Sequence, residues 1–367
     1  MKKERMKTAV VGCGAISDIY LKNMTEIFPV LEVTACCAAH LENAQKKAEQ
    51  YGIRACTYEE ILQEKEIELV VILTPAPTHY QLIKSALLAG KHVYTEKTMT
   101  IDAKEAEELK TLAKEKGLYL GAAPDTFLGA AWQRARKAID DGMIGEVTSF
   151  QICANRNLDF LAALFSFLRM PGGGICYDYG VYYLTALVSL LGPVDSVAAV
   201  VSNRKTVRSN QIQGTKDFGV EYTYENESQT AAILQLENGI TGNFALNGDS
   251  IMCDLAQFLI YGTKGVLKLT DPNQFGGELV LISWDQEASQ VREEILDNPF
   301  PYSENSRGLG PAEMAEAIRQ KRKNRASSEL AYHVLDVIEQ MMKSNESRCF
   351  EKVKSTCEKP HPLYDNV

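Results

Sequence analysis

The sequence lacks any cluster of cysteine and histidine residues at the spacing of a metal site, although its 367 residues include nine cysteines and five histidines. The cysteines are scattered, odd in number and mostly embedded in apolar runs, at Cys13, Cys36, Cys37, Cys56, Cys153, Cys176, Cys253, Cys349 and Cys357. This distribution is typical of reduced thiols and not of a disulfide framework. We therefore expect a cytoplasmic protein that holds no metal.

Positive charge and long hydrophobic runs are also scarce. The chain carries 39 Lys and Arg against 48 Asp and Glu, a formal net charge of −9 at pH 7, so no basic face is available for nucleic acid. No apolar run approaches the roughly 20 residues of a membrane span, and the polar N-terminus lacks a signal-peptide core. With 45% hydrophobic and 24% charged residues, the composition is that of a globular protein. The length predicts two domains.

A glycine-rich turn follows the first predicted strand. Thr8–Val11 has strand character and leads into Gly12-Cys13-Gly14, after which a helix-compatible segment begins. In a Rossmann fold the first glycine permits the tight turn, the second lets the backbone approach a pyrophosphate, and the N–H groups of the new helix face its negative charge. The third fingerprint position is Ser17 instead of Gly or Ala. We predict cofactor contacts at Gly12, Cys13, Gly14, Ala15 and Ile16.

The second predicted strand, Leu31–Cys37, has no acidic residue at its end, where a Rossmann domain usually carries an acid that binds the adenosine ribose. The residues there are Ala38, Ala39 and His40. Either a neighbouring residue binds the ribose, or the missing acid removes the repulsion against a 2′-phosphate and His40 becomes its partner. We therefore predict NAD or NADP as the cofactor, with NADP slightly favoured and with Ala38 and His40 in its site.

Two further predicted strands end in candidate site residues. The apolar run Ile67–Leu73 is typical of a parallel strand covered on both faces, and the chain then bends across the ligand-binding crevice of such sheets. His79 opens the next helix, and it either faces the cofactor or serves only that helix start. The strand Lys91–Glu96 leads into Lys97, and alternating strands and helices from residue 7 to 123 predict a doubly wound parallel α/β sheet. We assign these residues to the cofactor site: Thr74, Pro75, His79, Glu96 and Lys97.

A second glycine turn, Gly172–Gly174, precedes an apolar helix predicted over Ile175–Leu191. Asp178 and Tyr182 lie four residues apart and therefore share one face of that helix. An Asp within an apolar run is costly to bury unless it is paired, and Lys97 is our candidate partner. The alternative is a buried salt bridge that takes no part in chemistry.

The rest of the second half is predicted as strands joined by short turns, which is typical of an antiparallel sheet. The predicted strands are Val147–Ala154, Val194–Val201, Gln229–Glu237, Ile240–Leu246, Leu255–Tyr261, Gly265–Leu269 and Leu279–Trp284. Such a sheet can support subunit pairing, and we expect a homo-oligomer. The segment Asn155–Met170 mixes aromatic and charged residues and is a lid, a substrate-recognition loop or surface packing.

These motifs together resemble the Gfo/Idh/MocA oxidoreductase family over nearly the whole chain. The resemblance is carried, in order, by Gly12-Cys13-Gly14, Thr74-Pro75 to His79, Thr95-Glu96-Lys97, and Gly172-Gly173-Gly174 with Asp178-Tyr179-Gly180. It implies a Rossmann domain, an α/β domain with an open, mostly antiparallel sheet, and action on sugars, cyclitols and related polyols with NAD or NADP. It also implies Lys97 and Asp178 as site residues. Three features depart from the family pattern. Thr98 stands where proline usually follows Glu-Lys, and Tyr182 stands where the catalytic histidine usually lies. The ribose-binding acid is missing near Ala38, which leaves the cofactor preference open.

We therefore predict an NAD(P)-dependent oxidoreductase that transfers a hydride between the nicotinamide and a secondary alcohol of a sugar, glycoside or cyclitol. Its catalytic residues would be Lys97, Asp178 and Tyr182, the last as proton carrier if Lys97 lowers its pKa. Residues 1–124 would form the Rossmann domain, 125–350 the substrate domain and 351–367 a tail. The alternatives are a redox-neutral sugar-modifying enzyme that recycles its cofactor, and a non-catalytic dinucleotide-binding sensor or regulator.

Overall fold

The computed structural model describes residues 5–251 and 256–366, so Cys253 and the predicted strand start at Leu255 lie outside it. The chain divides into two compact units. The first contains the residues up to Leu128 together with Asn305–Tyr332, and the second contains Gly129–Glu304 and the residues from His333 onward. Each unit is built around one large β-sheet, and the second unit also contains a small two-stranded sheet.

The part of the chain that the structure describes contains ten α-helices. In chain order they are α1 (Ser17–Glu26), α2 (Leu41–Tyr51), α3 (Tyr58–Gln63), α4 (His79–Leu88), α5 (Ala103–Glu115), α6 (Ala130–Asp140), α7 (Leu158–Leu164), α8 (Val181–Leu191), α9 (Leu309–Gln320) and α10 (Ser328–Ser347). The short helices α3 and α7 each begin at a side-chain cap, because Thr57 accepts the N–H of Glu60 and Asn157 accepts the N–H of Phe160.

The strands divide between the two units. In chain order they are β1 (Met6–Val11), β2 (Leu31–Cys37), β3 (Arg54–Ala55), β4 (Leu69–Ile72), β5 (His92–Thr95), β6 (Leu120–Ala122), β7 (Val147–Asn155), β8 (Val194–Ser202), β9 (Val207–Ser209), β10 (Glu221–Thr223), β11 (Gln229–Leu236), β12 (Thr241–Asn247), β13 (Gln257–Gly262), β14 (Gly265–Leu269), β15 (Val280–Asp285), β16 (Gln290–Ile295) and β17 (Glu351–Lys352). The predictions missed the short or exposed strands, such as β16, in which every residue is exposed and no apolar alternation is available to read.

The first unit contains a six-stranded parallel sheet in the order β3-β2-β1-β4-β5-β6. The central strand β4 consists of four fully buried apolar residues, as a parallel strand covered on both faces requires. The strand order reverses between β1 and β4, and the carboxyl ends of strands at such a point form the ligand crevice of doubly wound folds. The predicted doubly wound α/β class is confirmed.

The second unit contains a nine-stranded sheet in the order β16-β15-β14-β13-β7-β12-β11-β8-β17. Neighbouring strands are antiparallel except for β7 and β12, which run parallel, so the predicted open, mostly antiparallel sheet is confirmed. Along β11 the residues alternate between buried and exposed, with Leu234 buried and Ile233 exposed. The sheet therefore has one face on the core and one open face.

The observed units differ from the predicted domains, because residues 305–332 group with the first unit and not with the second. Two contacts show why. The N–H of Ala122, at the end of β6, donates to the Ala326 carbonyl oxygen at 3.2 Å. The Asn23 side chain donates to the carbonyl oxygens of Asn305 and Arg307 at 2.8 Å each. These partners are far apart in sequence, so no local pattern indicates that they pair.

Asp125 makes a further contact of this kind and gives a pH-dependent prediction. Its buried carboxylate accepts the N–H groups of Gly310 at 2.8 Å and Gly308 at 3.3 Å. Burial raises the pKa of Asp125 from its ordinary value of 3.8 to about 6. The folded protein therefore holds this proton more tightly than the unfolded chain does. The resulting stability is present below pH 4 and is lost as the pH rises through 6.

The variant Asp125→Asn should lose this pH dependence. Between pH 4 and pH 7 its free energy of unfolding should rise relative to the wild type by up to about 3 kcal/mol, since each pKa unit corresponds to about 1.4 kcal/mol. Urea unfolding of both proteins at the two pH values measures this difference. A difference between the two proteins that does not change with pH would contradict the prediction.

Candidate functional site

The glycine turn after β1 is fixed by a close approach of the chain after β4. Gly12 has φ +105°, and a Cβ at this position would lie 2.8 Å from the Leu73 carbonyl carbon. Its N–H donates to the Cys37 carbonyl oxygen at 2.8 Å. Only glycine fits both the conformation and the space, so residue 12 serves the turn as the sequence predicted.

Gly14 is different, because the fold itself does not require a glycine there. Its φ is not positive, and a Cβ at this position would have no protein atom of the described chain within 4 Å. Gly14 and Ala15 are exposed, Ile16 is half-buried, and α1 begins with no side chain capping its N–H groups. The exposed backbone and uncapped helix start can therefore accept an anionic group.

Ser17 occupies the third position of the fingerprint and is fully buried. Its hydroxyl donates to the Gly14 carbonyl oxygen at 2.6 Å, and its N–H donates to the same oxygen at 3.0 Å. Cys13 also turns away from the helix start. Its thiol lies 3.5 Å from the Cys37 carbonyl oxygen, and a hydrogen bond with Cys36 lowers the pKa of Cys13. The turn therefore presents its backbone outward, and not the side chains of residues 13 and 17.

The end of β2 carries no carboxylate, as the sequence indicated. Ala38 is half-buried, and His40 is exposed at the residue before α2. His40 has a backbone φ of −107° and its side chain does not cap the helix. The imidazole is thus on the surface beside the strand end, where a ligand extending from the glycine turn along a Rossmann sheet would pass.

His79 is fully buried at the start of α4 and links the ends of two strands. Its Nδ1 lies 2.7 Å from the Thr98 carbonyl oxygen, and its Nε2 lies 2.7 Å from the Thr74 carbonyl oxygen. Burial lowers the pKa of His79, whereas these two carbonyl groups raise it. Both ring nitrogens face backbone, so this geometry favours the structural alternative over a direct cofactor contact. Pro75, by contrast, is exposed at the start of the following turn.

Glu96 links the end of β5 to α1. The hydroxyl of the buried Tyr20 donates to Glu96 Oε1 at 2.7 Å, and the N–H of Lys97 donates to Glu96 Oε2 at 3.1 Å. The Lys97–Thr98 peptide bond is cis, and Lys97 is half-buried. The carboxylate therefore holds the backbone from which the Lys97 side chain extends. The sequence did not indicate Tyr20 as a site residue, because nothing in α1 shows that this tyrosine pairs with Glu96, which is distant along the chain.

In the second unit, the three glycines before the helix differ in their surroundings, because Gly173 and Gly174 lie in close contacts and Gly172 has a positive φ. A Cβ at Gly173 would lie 2.4 Å from the Leu168 carbonyl oxygen, and a Cβ at Gly174 would lie 1.9 Å from Glu227 Oε2. Gly172 has φ +81°. The turn therefore brings the chain directly against a carboxylate that the sequence analysis did not single out.

The helix after this turn does not begin as an α-helix. Cys176–Gly180 forms a π-turn in which the Val181 N–H reaches the Cys176 carbonyl oxygen, and α8 then continues from Val181. A Cβ at Gly180 would lie 2.9 Å from the Leu246 side chain, so this segment lies tightly against β12. Asp178 is half-buried within the π-turn, and Tyr182 is buried in the first turn of α8. π-turns of this kind are frequent at functional sites.

Beside Asp178 lies an aromatic and ionic cluster that the sequence did not reveal. The Arg156 guanidinium stands 3.7 Å from the centre of the Tyr179 ring and pairs with Asp271 at 3.5 Å. The Tyr179 hydroxyl is 2.9 Å from that of Tyr183. Burial raises the pKa of both phenols, so neither carries a negative charge at neutral pH. Arg156 lies in the segment 155–170 predicted as a lid or recognition loop.

The predicted catalytic residues belong to different units, Lys97 to the first and Asp178 and Tyr182 to the second. Their proposed ion pair stays a prediction. Within residues 5–251 and 256–366, no group of three or more His, Cys, Asp or Glu side chains is placed to hold a metal ion. In the same residues, no helix combines the length and the apolar character that crossing a bilayer demands.

Several characterised proteins are similar to this chain over most of its length. It is 26% identical over 343 residues to dTDP-3,4-didehydro-2,6-dideoxy-alpha-D-glucose 3-reductase of Actinomadura kijaniata, covering 86% of this chain and 95% of that protein. It is 22% identical over 365 residues to scyllo-inositol 2-dehydrogenase (NADP(+)) IolW of Bacillus subtilis, covering 95% and 96% respectively. The solved structure of levoglucosan dehydrogenase in complex with NADH and L-sorbose shares the fold, with a TM-score of 0.82 and 18% identity over 96% of this chain and 99% of that one.

Two family models cover most of the sequence. Residues 6–123 match the oxidoreductase family with the NAD-binding Rossmann fold, and residues 132–268 match the GFO/IDH/MocA C-terminal domain. The two matches fall in the two sheets described above, in the expected order. The resemblance inferred from the sequence motifs is confirmed, and the chain belongs to the Gfo/Idh/MocA family of oxidoreductases.

Proposed function

We propose that this protein is an NAD(P)-dependent dehydrogenase that transfers a hydride between the nicotinamide and a secondary alcohol of a sugar, glycoside or cyclitol. The observation that carries the proposal is the uncapped start of α1 next to Gly14, whose lack of a side chain the fold does not explain. The substrate class is supported by relatives named for an inositol and a nucleotide sugar. Incubation with NAD and NADP against a panel of free sugars, glycosides and inositols, followed by nicotinamide absorbance, tests it.

The residues present fit a dinucleotide. The backbone from Gly12 to Ile16 and the first N–H groups of α1 would hold the pyrophosphate, and Ala38 and His40 would lie along the adenosine half. When bound, the nicotinamide supplies the hydride acceptor or donor. Thr74 and Pro75 follow β4 at the crevice and would border the cofactor, while His79 and Glu96 would act by holding the chain around it.

The proton chemistry is assigned to three side chains. Lys97 would donate a hydrogen bond to the reacting oxygen of the substrate and stabilise its developing negative charge. Tyr182 would accept the proton, with Lys97 favouring the phenolate form. Asp178 would hold Lys97 or a neighbouring hydroxyl of the substrate. The exposed aromatic residues Phe160, Phe165 and Phe167 of the segment 155–170 support its assignment as a substrate-recognition loop.

We also propose a homo-oligomer in the cytoplasm. The open face of the nine-stranded sheet exposes Ile233 and Val200 on neighbouring strands, which supports pairing through this face. The scattered cysteines, which are typical of reduced thiols, support the cytoplasmic location. If the wild type has the mass of an oligomer by light scattering, Ile233→Asp should lower that mass, whereas Val207→Asp on β9, an exposed residue outside the nine-stranded sheet, should change it less. Equal masses for Ile233→Asp and the wild type would contradict pairing through this face.

Gly14→Ala should weaken dinucleotide binding without weakening the fold. The added methyl group meets no protein atom of the described chain, so thermal unfolding should be unchanged, while the dissociation constants for NAD and NADP should both rise at least tenfold. Calorimetric titration measures both constants. In the wild type the two should differ by less than about a hundredfold, or roughly 2.7 kcal/mol. Unchanged binding by Gly14→Ala would place the pyrophosphate elsewhere.

Lys97→Ala should reduce turnover steeply while cofactor affinity stays near that of the wild type, because Lys97 is assigned to the transition state. The matched control is Lys104→Ala, which removes the same side chain from an exposed position at the start of α5. Steady-state kinetics with the best substrate of the panel gives the comparison. Full activity in Lys97→Ala would rule out this catalytic centre.

Tyr182→Phe should lower kcat by about a hundredfold, a usual scale for the loss of a general acid–base group, and leave cofactor binding unchanged. Substrate oxidation by the wild type should rise with pH through an ionisation that the variant lacks. Tyr80→Phe, at a surface hydrogen bond with Glu108, is the control. If Tyr182→Phe keeps the wild-type rate and pH profile, the proton leaves through Lys97 or water.

A further inference from the structure

We propose that Glu227 is a positioning residue of the second unit. Its carboxylate holds the π-turn that carries Asp178 and lies within electrostatic reach of the Asp178 carboxylate. The inference rests on the proposed function in so far as Asp178 is a site residue there. Nothing in the sequence motifs indicates Glu227, which lies between β10 and β11, more than fifty residues after the glycine turn.

Glu227 contacts the start of the π-turn directly. Glu227 Oε1 accepts the N–H of Cys176 at 3.0 Å, and the N–H of Tyr177 also donates to this carboxylate. The main-chain oxygen of Glu227 accepts the N–H of Ile175 at 3.1 Å. Three successive N–H groups at the start of the π-turn therefore have one residue as their partner. Gly174 leaves the space that the carboxylate fills.

The residues around Glu227 hold the other side of the glycine turn. The Tyr224 hydroxyl donates to the Gly173 carbonyl oxygen at 3.1 Å. The Asn226 side chain donates to the carbonyl oxygens of Leu168 at 3.0 Å and Met170 at 2.8 Å. The segment 224–227 thus fixes the chain on both sides of Gly172–Gly174. The Asp178 N–H donates to the Gly174 carbonyl oxygen at 2.8 Å. The position of the Asp178 backbone therefore depends on this segment.

Charged and titratable groups also surround Glu227. Those that face it are Asp178 and Cys176 from the helix start and Tyr224 from its own segment. The cation over the Tyr224 ring, Arg208, is paired with Asp159 and Asp249. Burial raises the pKa of Glu227 to about 7, and the negative charge of Asp178 acts in the same direction.

Protonation of Glu227 should change how firmly the π-turn is held. Below pH 7 the neutral carboxyl group is a weaker acceptor for the N–H groups of Cys176 and Tyr177, and above pH 7 the ionised carboxylate binds them more strongly. The charge state of Glu227 thus sets how firmly the backbone that carries Asp178 is held.

The deciding measurement needs no turnover. Carbon-13 NMR of protein labelled at the Asp and Glu carboxyl carbons should show one Glu signal that titrates near pH 7, which Glu227→Gln removes and Asp178→Asn shifts to lower pH by half a unit or more. Glu225→Gln, at an exposed neighbour, should leave this signal in place. The proposal is overturned if the titration midpoint of Glu227 is near pH 4.5 or if Asp178→Asn leaves that midpoint unchanged.

Kinetics separates a positioning role from a merely structural one. Glu227→Gln should lower kcat about tenfold, abolish an ionisation near pH 7 in its pH profile and leave the dinucleotide dissociation constant unchanged. Glu227→Asp keeps the charge but shortens the reach, and it should lower kcat while retaining that ionisation. If Glu227→Gln keeps the wild-type kcat and its pH profile, the role of Glu227 in the site is overturned. If no compound of the panel is turned over, the proposed function fails. The NMR titration still tests the proposal for Glu227, because it does not depend on turnover.

Discussion

A buried carboxylate must find hydrogen-bond donors, and the candidate site depends on how this protein supplies them. Glu96 accepts from a tyrosine hydroxyl and from the N–H of Lys97, and Glu227 accepts from the N–H groups that begin the turn of Asp178. Asp125 holds residues 308 and 310 in the same manner. In each case an acid holds backbone in place, and in two of them that backbone bears a proposed catalytic side chain.

The positions that sequence analysis recognised are those at which one short stretch contains the whole signal. The turn after β1 is indicated by a strand, two glycines and a helix within a dozen residues. The parallel strand β4 is indicated by an unbroken apolar run. Both sheets were predicted in this way. The family membership followed from the order of such local motifs, which family comparison then confirmed.

What the sequence left hidden depends on partners that are distant along the chain. The glycine turn that contains Gly174 is evident in the sequence, but the group that contacts Gly174, Glu227, is visible only in the folded chain. The grouping of residues 305–332 with the first unit follows from contacts such as that of Asn23 with Asn305. The π-turn at Cys176–Gly180 arises where Gly180 packs against β12, whereas apolar periodicity alone predicted a regular helix there.

The contact of Gly174 with Glu227 also constrains how this protein can change over evolutionary time. Alanine at residue 174 would collide with the carboxylate, and a shorter side chain at residue 227 would leave helix N–H groups without their acceptor. Neither replacement is harmless alone, and making both would still leave these N–H groups without an acceptor. Selection should therefore retain Gly174 and Glu227 together in descendants of this sequence.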